Sequence, residues 1–202
     1  MVKTMEILLI LGSYLYGSIP FALVIGKIFY KTDVREHGSG NLGGSNTGRV
    51  LGKGAGLACI VLDASKALLV VIVTKYLSQI LHINPDIAYI CAVVCVLGHC
   101  YPIFAKFKGG KAVSTAIGYF LAVYPMGAVI VLIVFLIMLK FSKYVSLSSI
   151  VGACSVLLVT PFLPITQAAK ISNFLIVGLL VYRHKENIKR LKNGKENKIN
   201  WM

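Results

Sequence analysis

The sequence predicts an all-α integral membrane protein of seven transmembrane helices, several of them short, and three observations carry that prediction. Hydrophobic residues make up 57% of the 202 residues and charged ones only 14%, where a soluble domain carries about 45–50% and about 25%. Seven apolar runs follow one another along the chain at lengths suited to helices in a bilayer. Most of the basic residues gather in the segments between those runs. The formal charge of +14 does not point to a nucleic-acid partner: charge placed this way serves orientation and contact with anionic head groups, so none is expected.

The first run, Met5–Lys27, is read as a transmembrane helix and not a cleavable leader, because it lacks a small-x-small site and continues into Gly17-Ser18-Ile19-Pro20. The second, Gly54–Lys75, holds Asp63 and Lys66 three apart, which lets them pair on one helix face; a structural pair and a role in a site are both open. Ile87–Phe104 is the third. Ala112–Tyr124 and Met126–Lys140 are divided by Tyr124-Pro125, Ser146–Thr160 is closed by Pro161 and Pro164, and Ala168–Tyr182 is the last. Fusing the fourth and fifth runs gives five or six helices but scatters the basic residues over both faces. Seven helices put Lys27 to Lys53, Lys106 to Lys111, Lys140, Lys143 and the tail on one side, leaving Lys3, Lys75 and Lys170 on the other. The N-terminus is then outside and the C-terminus cytoplasmic. Residues 1–202 form one membrane-embedded domain, with 183–202 a basic cytoplasmic tail within it. The five cysteines include no Cys-x-x-Cys and read as small core residues.

Two glycine-rich basic segments fall on the same predicted face. His37–Arg49 carries five glycines, short donors at Ser39, Asn41, Ser45, Asn46 and Thr47, and Arg49 at its end. Gly38 and Gly40 with their neighbours permit tight turns and close approach of N–H groups to an anion. A plain interhelical linker is the alternative. Gly98-His99 to Lys111 ends in Lys108-Gly109-Gly110-Lys111 at a helix start, where free N–H groups, the dipole and a point charge favour an anion. It is no Walker A loop. Ser146, Ser148 and Ser149 open the sixth helix and can cap it or donate to a ligand. His184 and Asn187, three apart, share a face of the tail. His-x4-Asp, His-Glu-x-x-His and Gly-x-Ser-x-Gly are all absent. If the chain is an acyl-transfer enzyme, its donor arrives already activated and the protein supplies position and charge. A small transporter or channel for a phosphorylated solute is the alternative; it would show interrupted helices in both halves of the chain.

Gly17-Ser18-Ile19-Pro20, Gly38-Ser39-Gly40-Asn41…Asn46…Arg49, Gly98-His99…Pro102…Phe107-Lys108-Gly109-Gly110-Lys111 and Arg183-His184…Glu186-Asn187-Ile188…Arg190-Leu191 together resemble the bacterial acyl-phosphate:glycerol-3-phosphate acyltransferases. The resemblance implies a multi-pass inner-membrane enzyme with its site facing the cytoplasm. It would make 1-acyl-glycerol-3-phosphate from acyl phosphate and glycerol 3-phosphate, with no metal or cofactor. Membrane lipid is the other expected partner, and a monomer the expected assembly. Position by position, Ser39, Arg49 and Lys111 match residues that hold phosphate. His184 and Asn187 match residues that orient the glycerol backbone. Gly38, Gly40, Asn41, Ser45, Asn46, His99, Lys108, Gly109, Gly110, Ser148 and Ser149 fall in substrate-binding segments. A substrate-assisted route without a covalent acyl-enzyme is implied. Three positions depart from the pattern: Ala112 and Ala67 stand where glycine is common, and Gly44-Ser45 where Ala-Thr is frequent.

Overall fold

The computed structural model describes residues 2–199, so Met1 of the domain and residues 200–202 of the tail lie outside the described residues. The described chain is helical, without strands. All seven apolar runs form helices, but the first is not continuous. It divides into α1 (Val2–Gly17) and α2 (Phe21–Phe29), bent by 45°. Pro20 stands at the N-cap of α2, and its ring and missing N–H stop the ladder from running through. The glycine-rich stretch is not all loop either. Gly44–Leu51 is helix α3, a run of poor formers held by packing: a Cβ on Gly56 would lie 2.6 Å from Gly48 Cα.

Then come α4 (Lys53–Ile80), α5 (Ile87–Cys100), α6 (Val113–Val123), α7 (Pro125–Ser142), α8 (Val145–Val159), α9 (Gln167–Arg183) and α10 (Lys185–Lys192). At 1.5 Å per residue α4 reaches about 42 Å and α6 only about 16 Å, against a hydrocarbon core of about 30 Å. Four stretches are long and apolar enough to cross a membrane, and the bent α1–α2 pair makes a fifth. Exposed Leu8, Leu11, Ile72, Leu136, Ile137 and Leu175 give the bundle a lipid-compatible outer surface.

Glycines set the closest helix crossings. A Cβ on Gly17 would collide with the Cys95 backbone of α5, and one on Gly118 of α6 with the Ala64 carbonyl of α4. Tyrosine hydroxyls donate to backbone carbonyls across elements, Tyr14 to Tyr101 at 2.9 Å and the buried Tyr119 to Ala169 at 3.1 Å. The core holds Val71, Val96, Phe120, Ile176 and Leu180 with Cys91, Cys95 and Cys100. All five cysteines are free thiols. This frame leaves one end of α3, α4, α6, α8 and α10 open around a cavity.

Candidate functional site

A cavity of about 340 Å³ is bordered by the first glycine-rich segment, the start of α6, and residues of α7, α8 and α10. One wall is polar and carries Ser39, Asn41, Ser45, Asn46 and Arg49. Lys111, His99, Ser149, His184 and Asn187 join it from four other elements. The opposite wall is apolar, with Ile117 and Phe120 from α6, Val131, Leu132 and Phe135 from α7, and Ala153 from α8. Leu132 is 52% exposed, so this wall reaches the outer surface of the bundle.

The two loops are braced differently. Gly38 and Gly40 take positive φ, +61° and +66°, and turn the chain without bordering the cavity. Asn46 Oδ1 accepts from Ser39 N at 2.8 Å, while its Nδ2 donates to Val34 O at 2.9 Å and His37 O at 3.2 Å. Its amide is therefore consumed in holding the turn, and Ser39 is presented by it. Arg49 is exposed and has no carboxylate partner among the described residues.

In the second loop Lys106 and Phe107 turn through positive φ and carry Lys108 to the outside, away from the cavity. Gly109 and Gly110 are buried behind the cavity wall. Their carbonyls accept from the Arg183 guanidinium, both at 3.1 Å, and Arg183 also lies 4.9 Å over the Tyr101 ring. Ala112 adopts φ +68°, a left-handed conformation that costs a non-glycine residue about 1–2 kcal/mol.

Among the three serines, Ser146 and Ser149 are three apart and border the cavity. Ser148 lies off that face, fully buried, with its hydroxyl donating to Tyr144 O at 2.8 Å. It is not a site residue in the structure. Asp63 and Lys66 do pair, at 2.7 Å.

The residue that sequence reasoning missed is Glu196. After α10 the chain turns back at Gly194, φ +65°, and residues 195–199 run along the cavity mouth, with Ile199 N donating to Lys143 O at 2.9 Å. Glu196 Oε1 accepts from Asn187 Nδ2 at 2.6 Å and Ser146 Oγ at 2.7 Å, and Oε2 from Arg190 Nε at 2.7 Å. Asn187 is thereby oriented, and its Oδ1 accepts from Lys111 Nζ at 2.6 Å. A lone acid after Asn193-Gly194 in a basic tail was the available signal.

Burial lowers the Lys111 pKa to about 8, helped by the cations Arg190, Arg183 and Arg49 and opposed by Glu196. It remains a cation at pH 7. Burial also lowers His184 to about 4, so the ring is neutral. Its Nδ1 is 2.8 Å from Leu180 O. A carbonyl only accepts, so Nδ1 carries the hydrogen and Nε2 is left as an acceptor. For Glu196 burial acts upward, but the bonds from Asn187, Ser146 and Arg190 prevail and hold it below the usual carboxylate range. Such a site offers one half-buried cation, one exposed cation, hydroxyls and a neutral imidazole beside an apolar wall.

A family model described as glycerol-3-phosphate acyltransferase matches residues 7–194. "Glycerol-3-phosphate acyltransferase 2" of Bacillus anthracis is 43% identical over 195 residues, covering 96% of this chain and 100% of the relative. The glycerol-3-phosphate acyltransferase of Listeria monocytogenes serovar 1/2a is 44% identical over 200 residues, 97% and 98% covered. The crystal structure of PlsY (YgiH), an integral membrane glycerol 3-phosphate acyltransferase, in its glycerol 3-phosphate form superposes with a TM-score of 0.87 at 36% identity, covering 96% of each chain. Its lysophosphatidic acid form gives 0.85 at the same identity, covering 96% and 95%.

Proposed function

The chain belongs to the glycerol-3-phosphate acyltransferase family, and from that premise we propose how its cavity carries out the reaction. The protein is an integral membrane enzyme that acylates glycerol 3-phosphate, giving lysophosphatidic acid. The donor is acyl phosphate, whose chain lies on the apolar wall of Ile117, Phe120, Leu132 and Phe135 and leaves toward lipid past Leu132. Ser39, Arg49 and Lys111 hold the phosphates. Asn187 and the Nε2 of His184 receive the glycerol hydroxyls.

The acceptor's 1-hydroxyl oxygen attacks the acyl carbon, the bond from that carbon to the phosphate oxygen breaks, and inorganic phosphate departs. The hydroxyl proton passes to the acceptor's own phosphate. With neither nucleophile nor base required of the protein, positioning and charge stabilisation supply the catalysis. The enzyme works as a monomer in the bacterial cell membrane, N-terminus outside, the cavity open to the cytoplasm, where the basic segments gather.

One observation carries this reading: five polar groups from separated segments converge on a single cavity with an apolar opposite wall. A transporter would need interrupted helices in both halves, and among the described residues the one bent pair is α1–α2. Purified protein given palmitoyl phosphate should release inorganic phosphate only when glycerol 3-phosphate is added. Release without acceptor, or none with it, would refute the donor and the route.

A further inference from the structure

One buried cluster borders the cavity through Asp63 and His99 but has no role in the reaction steps above. Asp63 and Lys66 leave α4 a turn apart, and His99 faces them from α5, with exposures of 2%, 1% and 6%. Lys66 Nζ lies 2.7 Å from Asp63 Oδ1, and His99 Nδ1 is 3.5 Å from both groups. Lys66 also sits 4.9 Å over the Phe21 ring of α2, and the Cys59 thiol donates to Asp63 Oδ2 at 3.4 Å. Packing alone does not call for charge here, since apolar residues replace a buried ion pair at little or no loss of stability.

The other edge of the His99 ring lies against Gly110. A Cβ on Gly110 would strike His99 Nε2 and would lie 2.8 Å from the Leu42 carbonyl oxygen of the first loop. Gly110 N also donates to His99 O at 3.1 Å. This glycine therefore fills the gap between the ring and the first loop, and Lys111 follows it directly. Two successive glycines have no side chains with which to fix themselves. Arg183 holds their carbonyls, the ring backs Gly110, and the ion pair faces the ring.

We propose that Asp63, Lys66 and His99 are positioning residues for the acyl transfer: the pair holds the imidazole, the imidazole seats Gly110 against Leu42, and that seat sets Lys111 at its distance from Ser39 and Arg49. The inference rests on the phosphate-binding role proposed above for the two loops.

His99→Ala is the deciding variant, because it leaves the Asp63–Lys66 pair intact and creates no unpaired charge. With the purified enzyme, KM for the phosphate-bearing substrates should rise about tenfold while kcat stays within about threefold, since a displaced binding group costs position before chemistry. Asp63→Asn/Lys66→Met should give part of the same KM rise. Adding His99→Ala to it should bring the rise no higher than His99→Ala alone, because both act through one ring. If His99→Ala does not fold, His99→Gln gives the same readout. An unchanged KM, a loss of kcat alone or additive effects would overturn the proposal and leave the cluster a merely structural one. Wild-type enzyme that releases no phosphate in the presence of both substrates would instead refute the reaction itself.

Discussion

The two glycine-rich loops reach the same cavity with opposite degrees of restraint. The first presents Arg49 at the surface, and its turn is held by a single asparagine side chain, Asn46. The second is clamped by Arg183 on its carbonyls and by His99 behind it, and delivers Lys111 already bonded to Asn187. One cation is solvated and adaptable, the other partly desolvated and fixed. Desolvation makes a charge contact stronger and its loss more costly. An exposed guanidinium still tracks an arriving phosphate, at lower energetic weight.

The sharpest way to break this contrast is to remove each cation in turn. Lys111→Met should lower kcat/KM about a thousandfold, roughly 4 kcal/mol, because it deletes partly desolvated charge-assisted bonds and strands Asn187. Arg49→Ala should cost less, about tenfold, chiefly in KM, since water already solvates the group. Equal losses in steady-state kinetics would erase the distinction, and wild-type kinetics for Arg49→Ala would remove that residue from the phosphate site. The smallest effect is on pH. Lys111 is cationic below a pKa of about 8 and neutral above it, so KM should climb as pH rises through that value. Arg49→Ala should keep the climb but move it to higher pH, because Arg49 is one of the cations that lower the Lys111 pKa. A flat wild-type profile between pH 7 and 9 would contradict it.

Hydropathy made the helices legible, and the order of polar segments made their convergence on one cavity expected. Local chemistry accounts for what was not legible. Gly44–Leu51 reads as loop because its propensities are poor, and it is helical because α3 and α4 touch at Gly48 and Gly56. Ser148 shares a sequence with Ser146 and Ser149 but not a helix face. Pro20 signals a break that the apolar run around it obscures. Glu196 enters the site only because the chain reverses at Gly194, a tertiary event that no periodicity records.

That reversal sets the bundle apart from the completion of its site. Among the described residues the α-helices end by Lys192, yet the carboxylate that bonds Asn187 stands four residues beyond. The chain past the last helix adds no span; it works as a wedge at the cavity mouth, holding the side chain that Lys111 reaches.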